Sequence, residues 1–262
     1  MRILKRILFG LSIIILISFL FSSLFPGKAT LLDYTRLCLQ KPIIKWIGSI
    51  KMDDLPILNY SDTTGVDLCY DEIKEYLNLL PSGSIFLTKT RNYAITEFIP
   101  GEWKHAGIFL GNKQQIIQRF GKESNVYKRL DSLIHNDEIY ILDSEADGVC
   151  VHPFRDMSNM NIKSYMTSFV VFSFTKDDNK SELFLEKAMD YLGREYDFDW
   201  ITEDDSNIYC SELIYHSLKP LNYIIKKRSK TLSRVVITPD DLYNYLNHNT
   251  GREKKFELLL RL

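Results

Sequence analysis

Along the chain the hydrophobic positions form first an unbroken run, then a helical stripe, then strand-like alternations, and finally helical stripes again. The unbroken run, "ILFGLSIIILISFLFSSLF", carries no charge from Ile7 to Phe25 and is long enough to cross a bilayer core as a helix. After a mixed, proline-broken segment, Leu68, Ile73, Tyr76, Leu77 and Leu80 recur close to helical spacing, and Pro81 ends that stripe. "GSIFLTK" and "EWKHAGIFLGN" then read as strands, the second ending in a Gly-Asn turn signal. Alternation sets Trp103, His105, Gly107 and Phe109 on one face, and Ala106, Ile108 and Leu110 on the other. Residues 112–137 read as an insertion holding a short helix, before two further strand candidates, "EIYILDSEADGVCVHPF" and "SYMTSFVVFSFT". "SELFLEKAMDYLG" is an amphipathic helix closed by Gly193, and a last helical stripe opens at Cys210.

A helix, a set of strands, and then helices predict an α+β domain with an antiparallel sheet, rather than alternating βα units. The expected organisation is an N-terminal signal anchor or signal peptide over residues 1–27, a stalk or appendage over 28–65, and the main domain over 66–262. The basic cluster Arg2, Lys5 and Arg6 precedes the apolar run, which predicts that the remainder of the chain lies outside the cytoplasm. The small-residue pattern of a cleavage site is poorly matched by "SSLFPGKAT", so a retained membrane anchor is favoured over secretion or periplasmic release after cleavage.

Composition narrows the function classes. With 262 residues, 45% of them hydrophobic, and a formal net charge of -1, the chain can bury a sizeable core but lacks the basic excess that nucleic acid would demand. Its cysteines, Cys38, Cys69, Cys150 and Cys210, form no C-x-x-C pair and show no zinc-type spacing.

Candidate chemistry centres on "DDSNIYCSELIYHSL". Ser206 or Asn207 is the expected helix cap, which places Cys210 in or next to the first turn, where unpaired N–H groups and the positive end of the helix dipole favour a thiolate. Cys210 shares a helical face with Leu213, Ile214 and Leu218, a position that an inert buried cysteine would equally occupy. A possible base changes the balance: His105 stands mid-strand on an otherwise apolar face, where an imidazole needs a polar partner. His216 points away from Cys210 on the same helix, His135 and His248 lie in polar surroundings, and His152 at a strand end is a reserve. To orient the imidazole, Asp143, Glu145 and Asp147 are all available on one face, and alternation does not choose among them.

Six segments, "PSGSIFLTK", "HAGIFLGN", "LDSEADGV", "LGREYDFDW", "YCSELIYHSL" and "ITPDDLYNYL", span roughly residues 81 to 246. In this order they resemble the circularly permuted papain-like hydrolases of the NlpC type, in particular their YiiX/YebB-like branch. The resemblance implies a permuted papain-like fold whose sheet packs against the helix carrying a nucleophilic cysteine. It further implies Cys210 as nucleophile, His105 as base, and Glu145, before a Gly-Val pair, as the residue orienting His105. The implied activity is hydrolysis of an amide through a thioester, with no cofactor and no metal. The expected substrate is a cell-wall peptide or related amide. Two alternatives are action on lipid amides or esters, as hydrolase or acyltransferase, and a non-catalytic binding module of the same fold. Membrane contact through the N-terminal helix is the other expected partnership.

Overall fold

Strand alternation builds a six-stranded sheet in the order β4-β3-β2-β1-β5-β8, every neighbouring pair antiparallel. Its strands are β1 (Ser84–Thr90), β2 (His105–Gly111), β3 (Tyr140–Glu145), β4 (Gly148–Pro153), β5 (Met166–Phe174) and β8 (Phe256–Arg261). The computed structural model describes residues 2–25, 27–50, 67–91, 99–135, 137–160, 164–175, 178–198, 205–231, 234–251 and 255–262. Contacts divide the chain into a unit over Met1–Ser49 and a unit over Ile50–Leu262, which holds the sheet.

The region expected to supply one strand before β5 is a hairpin. Asp143 pairs with Cys150 and Glu145 with Gly148, so β3 and β4 turn through Ala146 and Asp147. Gly148 makes this turn possible: its φ is 97°, and a Cβ there would lie 2.2 Å from the carbonyl oxygen of Arg194. β8 was not legible in the sequence because, as an edge strand, it buries Phe256 and leaves Glu257 and Leu258 exposed, with no clean alternation.

Each face of the sheet covers its own core. One carries Ile85, Leu87, Ala106, Ile108, Leu110, Leu142, Val170 and Phe172, all nearly inaccessible. Helices α6 (Asp178–Met189), α7 (Cys210–Leu218) and α8 (Pro239–His248) add Phe184, Leu213, Ile214, Leu218, Leu242 and Leu246 to that core. The opposite face carries Phe86, Phe109, Ile141, Phe169 and Val171 against Ile73 and Leu77 of α3 (Tyr70–Leu77) and Phe154 and Met157 of a 3-10 turn after β4. Burying one such large apolar side chain contributes about 1.5–3 kcal/mol, so both faces hold the sheet in place. Trp103 departs from the alternation that grouped it with His105; it precedes β2, joins the α7 side, and stacks on Tyr243 at 4.9 Å.

Residues 112–137 form two helices, α4 (Lys113–Phe120) and α5 (Asn125–Leu130), rather than one. Ile116, Val126, Leu130 and Ile134 are core residues, so this segment thickens the α7-side core. A two-stranded ribbon of β6 (Ser229–Thr231) and β7 (Arg234–Val236) completes the main unit.

In the N-terminal unit, α1 (Arg2–Leu24) and α2 (Thr30–Ser49) pack together. The apolar run ends at a polar cluster: buried Ser22 donates to Asp33 Oδ1 at 2.5 Å and accepts from Arg36 Nε at 2.9 Å. Among the described residues no helix is long and apolar enough to cross a membrane, so the structure lends no support to the transmembrane helix expected within residues 1–27. The expected stalk begins with α2, in which Pro42 lies, while 51–66 are outside the described residues.

Candidate active site

Cys210 is the first residue of α7 and is buried, with 6% of its surface exposed. The N-cap is Tyr209, which makes no side-chain capping bond, so neither Ser206 nor Asn207 takes the expected capping role. The helix starts later because Ile208 is still tied to neighbouring segments. Its N–H donates to the carbonyl of Glu195 at 2.9 Å, and its own carbonyl accepts from Ser144 Oγ of β3 at 2.5 Å. Beyond the cysteine, Ser211 Oγ donates to the Ile237 carbonyl at 2.7 Å, and the Ile237 N–H donates to Tyr209 Oη at 3.1 Å. Cys210 is thereby held from β3, from the segment after α6, and from the lead-in to α8.

His105 opens β2 and lies close enough to the Cys210 thiol for the two groups to interact electrostatically. Its Nε2 lies 2.8 Å from Asp143 Oδ2, so Asp143 engages that ring nitrogen and not Nδ1. Burial works against charge on His105, but Asp143 and Cys210 outweigh it and hold the imidazole well above its ordinary pKa. The approach to His105 is fixed from α8: Asp240 Oδ1 accepts from the Trp103 N–H at 2.7 Å.

The hydrogen bond expected of Glu145 is made by Asp143. The β2–β3 ladder pairs Gly107 with Asp143, and the same register continued would set Glu145 opposite His105. His105 instead reaches diagonally past Gly107 to Asp143. Glycine opens that path, because a Cβ at 107 would lie 2.5 Å from Phe86 Cζ and 2.9 Å from Asp143 Cβ. Glu145 keeps an exposed edge at the end of β3. Crowding by protein atoms and the Asp143 charge raise its carboxyl above the usual range. Asp147 sits exposed in the turn.

Asp143 itself is fully buried and bridges two imidazoles: its Oδ1 lies 2.9 Å from Nε2 of His152 on β4. Burial disfavours its charge, yet His152 and His105 hold it far below the usual carboxylate range. Burial first, then the charges of Asp143, Glu145 and Asp147, push the neighbouring Cys150 thiol up to about 12. Two trios, Asp143–Cys150–His152 and His105–Asp143–Glu145, bring metal-ligand atoms within 4.8 Å of one another. Both are built on Asp143, whose two oxygens lie 2.8 Å from His105 Nε2 and 2.9 Å from His152 Nε2.

Of the residues marked in the sequence, the structure brings together Cys210 and His105, and it places Glu145 beside them without a direct bond to the ring. His216 lies 3.5 Å from Glu212 on α7, and His135 and His248 are exposed. Sequence reasoning passed over Ser144 and left His152 in reserve; only cross-strand and interhelical register reveals their roles.

A small open pocket of about 30 Å³ reaches Cys210, walled by Ile99, Pro100, Tyr196, Tyr209, Val236 and Pro239. These walls are predominantly apolar.

The model of the family described as permuted papain-like amidase enzyme, YaeF/YiiX, C92 family, matches residues 79–255. No curated protein matches the chain. Among solved structures, the metalloprotein YiiX from Escherichia coli O157:H7 is similar at 16% identity and a TM-score of 0.40, over 68% of this chain and 88% of that one.

Proposed function

This chain belongs to the permuted papain-like amidases of the YaeF/YiiX, C92 family. On that premise we propose that it is a cysteine amidase in which Cys210 attacks, His105 carries the proton, and Asp143 takes the orienting role first assigned to Glu145. The observation that carries this reading is the line Cys210–His105–Asp143, with the acid on Nε2 and the nucleophile at a helix start.

In the first half-reaction the Cys210 thiol gives its proton to His105 Nδ1, and the thiolate sulfur bonds to the amide carbonyl carbon. The backbone N–H of Cys210 faces the developing oxyanion at the positive end of α7. The C–N bond breaks as His105 returns the proton to the departing amine, leaving a thioester. Water then attacks that thioester, its proton passes to His105, and cleavage of the C–S bond restores the thiol and releases the acid. Asp143 accepts from Nε2–H throughout, fixing the tautomer and stabilising imidazolium.

Two substrate classes were expected, a cell-wall peptide amide and a lipid amide or ester. The apolar walls beside Cys210 favour the second, because an aliphatic acyl group would lose water-exposed area there whereas a charged wall peptide would lose hydration. The basic cluster before the apolar run supports placing the domain at a membrane or beyond it, within reach of such lipids.

The test is hydrolysis of a long-chain acyl amide against a short peptide amide by the wild type, Cys210→Ser, His105→Ala and the double variant. Each single substitution should remove nearly all turnover, and the double should be scarcely worse, because groups acting as a unit are strongly non-additive. Turnover surviving in Cys210→Ser would defeat the proposal. Preference for the peptide amide would reverse the substrate reading alone.

A further inference from the structure

Behind His105 the sheet gathers a second set of donor atoms. Asp143 on β3 stands opposite Cys150 on β4, and His152 follows two residues along on the same face of β4. A carboxylate oxygen, a thiol sulfur and an imidazole nitrogen, one from each residue, lie within 4.8 Å of one another. The mechanism above uses Asp143 through Oδ2, and neither Cys150 nor His152 takes part in it.

We propose that Asp143 Oδ1, Cys150 Sγ and His152 Nε2 form a binding site for a zinc-type divalent cation, with water completing a tetrahedron. The site stands on its own geometry, whether or not Cys210 is the nucleophile.

The donor set selects the ion. A thiolate, an imidazole and a carboxylate together suit zinc, whereas calcium and magnesium take oxygen ligands. Spacing agrees: with bonds of about 2.0–2.3 Å, donor atoms of a tetrahedral zinc site stand roughly 3.3–3.6 Å apart. His152 Nε2 and Asp143 Oδ1 are 2.9 Å apart, so they need separate by only ~0.4 Å to admit the ion. Charge agrees as well. The Asp143 side chain is 0% exposed and that of His152 is 16% exposed, surroundings in which an unbalanced dication would be costly. One carboxylate and one thiolate cancel its two charges, so the loaded site is neutral. On binding, Cys150 releases its proton to water, and His152 turns a lone pair on Nε2 to the ion in place of its contact with Oδ1. Asp143 Oδ2 keeps its contact with His105. The ion has a way in, because β4 is the end strand of the sheet and Cys150 is only half-buried. The two ligating strands are joined by the short turn through Ala146 and Asp147, so an ion bridging them also pins the hairpin that carries Asp143.

The other trio, His105–Asp143–Glu145, competes for the same carboxylate but lacks a thiol. The cysteine therefore separates the two by experiment.

The untagged full-length chain, stripped with a chelator, is titrated with cobalt(II) as a spectroscopic stand-in for zinc. Bound metal is counted by elemental mass spectrometry, and the near-ultraviolet sulfur-to-cobalt charge-transfer band reports a thiolate ligand. The wild type and Cys210→Ser should each bind one cobalt ion per chain with that band. Cys150→Ser should lose the band and bind at least roughly 10-fold more weakly, and His152→Ala should lose stoichiometric binding. Zinc should raise the thermal midpoint of the wild type and not of His152→Ala. Cys150→Ala and His152→Asn take the place of variants that lack a native circular dichroism spectrum. A wild type that binds no stoichiometric cobalt overturns the proposal, as does a band that persists without Cys150 or disappears in Cys210→Ser. Binding without the band that Glu145→Gln abolishes also overturns it, by moving the ion to the other trio, and so do equal zinc-induced midpoint shifts in the wild type and His152→Ala.

Discussion

The two faces of β3 hold the two halves of the site in different ways. Asp143 points to one face and binds side chains, accepting from His105 on β2 and His152 on β4. Ser144 points to the other and binds backbone, donating to the Ile208 carbonyl just before Cys210. The first contact tunes charge, because all its members titrate; the second fixes place, because a hydroxyl and a carbonyl do not. In the proposed mechanism one strand therefore sets both the basicity of His105 and the position of the Cys210 sulfur, and adjacent residues do so through separable physics.

The comparison is most severely strained at Asp143. Asp143→Asn should cut kcat/KM on the order of 100-fold to 10,000-fold, because an amide oriented toward both imidazoles loses the charge that stabilises imidazolium and admits the wrong tautomer. Glu145→Gln should cost no more than about 10-fold, since Glu145 makes no direct bond to the ring and keeps an exposed edge. Steady-state kinetics with circular dichroism controls check this. The reverse ranking would return the orienting role to Glu145 and make the Asp143 contacts structural.

Ser144→Ala sharpens the other side. Leaving the Ile208 carbonyl without its donor should cost about 1–3 kcal/mol of stability, and a sulfur displaced by a fraction of an ångström should lower kcat by on the order of 10-fold. Thermal melts and a kcat pH profile are the measurements, and the profile should keep its wild-type pH midpoints. A displaced midpoint in Ser144→Ala would show that the two faces are not separable.

Much of this arrangement was legible in the sequence, and what was not has a physical cause. β2 and α7 were readable because each has one strongly patterned face, and that pattern put His105 and Cys210 where they stand. The β3–β4 hairpin was read as one strand although Asp147-Gly148 is a turn dipeptide; the loop is Ala146-Asp147, and Gly148 already pairs with Glu145 as the first residue of β4. The choice between Asp143 and Glu145 was beyond alternation, which puts both on one face. It depends on His105 reaching diagonally across Gly107, so the glycine two residues after the histidine was the available signal. Ser144 left no trace because a serine in a strand reads as neutral until its partner, 64 residues away, is known.

The central claim is that Cys210 is a thiol activated by His105, and the four cysteines offer an internal comparison for it. Cys38 and Cys69 are exposed, Cys150 is half-buried among carboxylates, and Cys210 is buried at the helix start. The direct measurement is competitive alkylation by limiting iodoacetamide at about pH 6, where an unperturbed thiol is almost wholly protonated, read out by peptide mapping of the wild type and His105→Ala. The account predicts that Cys210 labels fastest in the wild type despite being the most buried, that Cys150 labels slowest, and that His105→Ala removes the advantage of Cys210. Labelling that follows exposure, with Cys38 and Cys69 ahead of Cys210 and no change in His105→Ala, would contradict it.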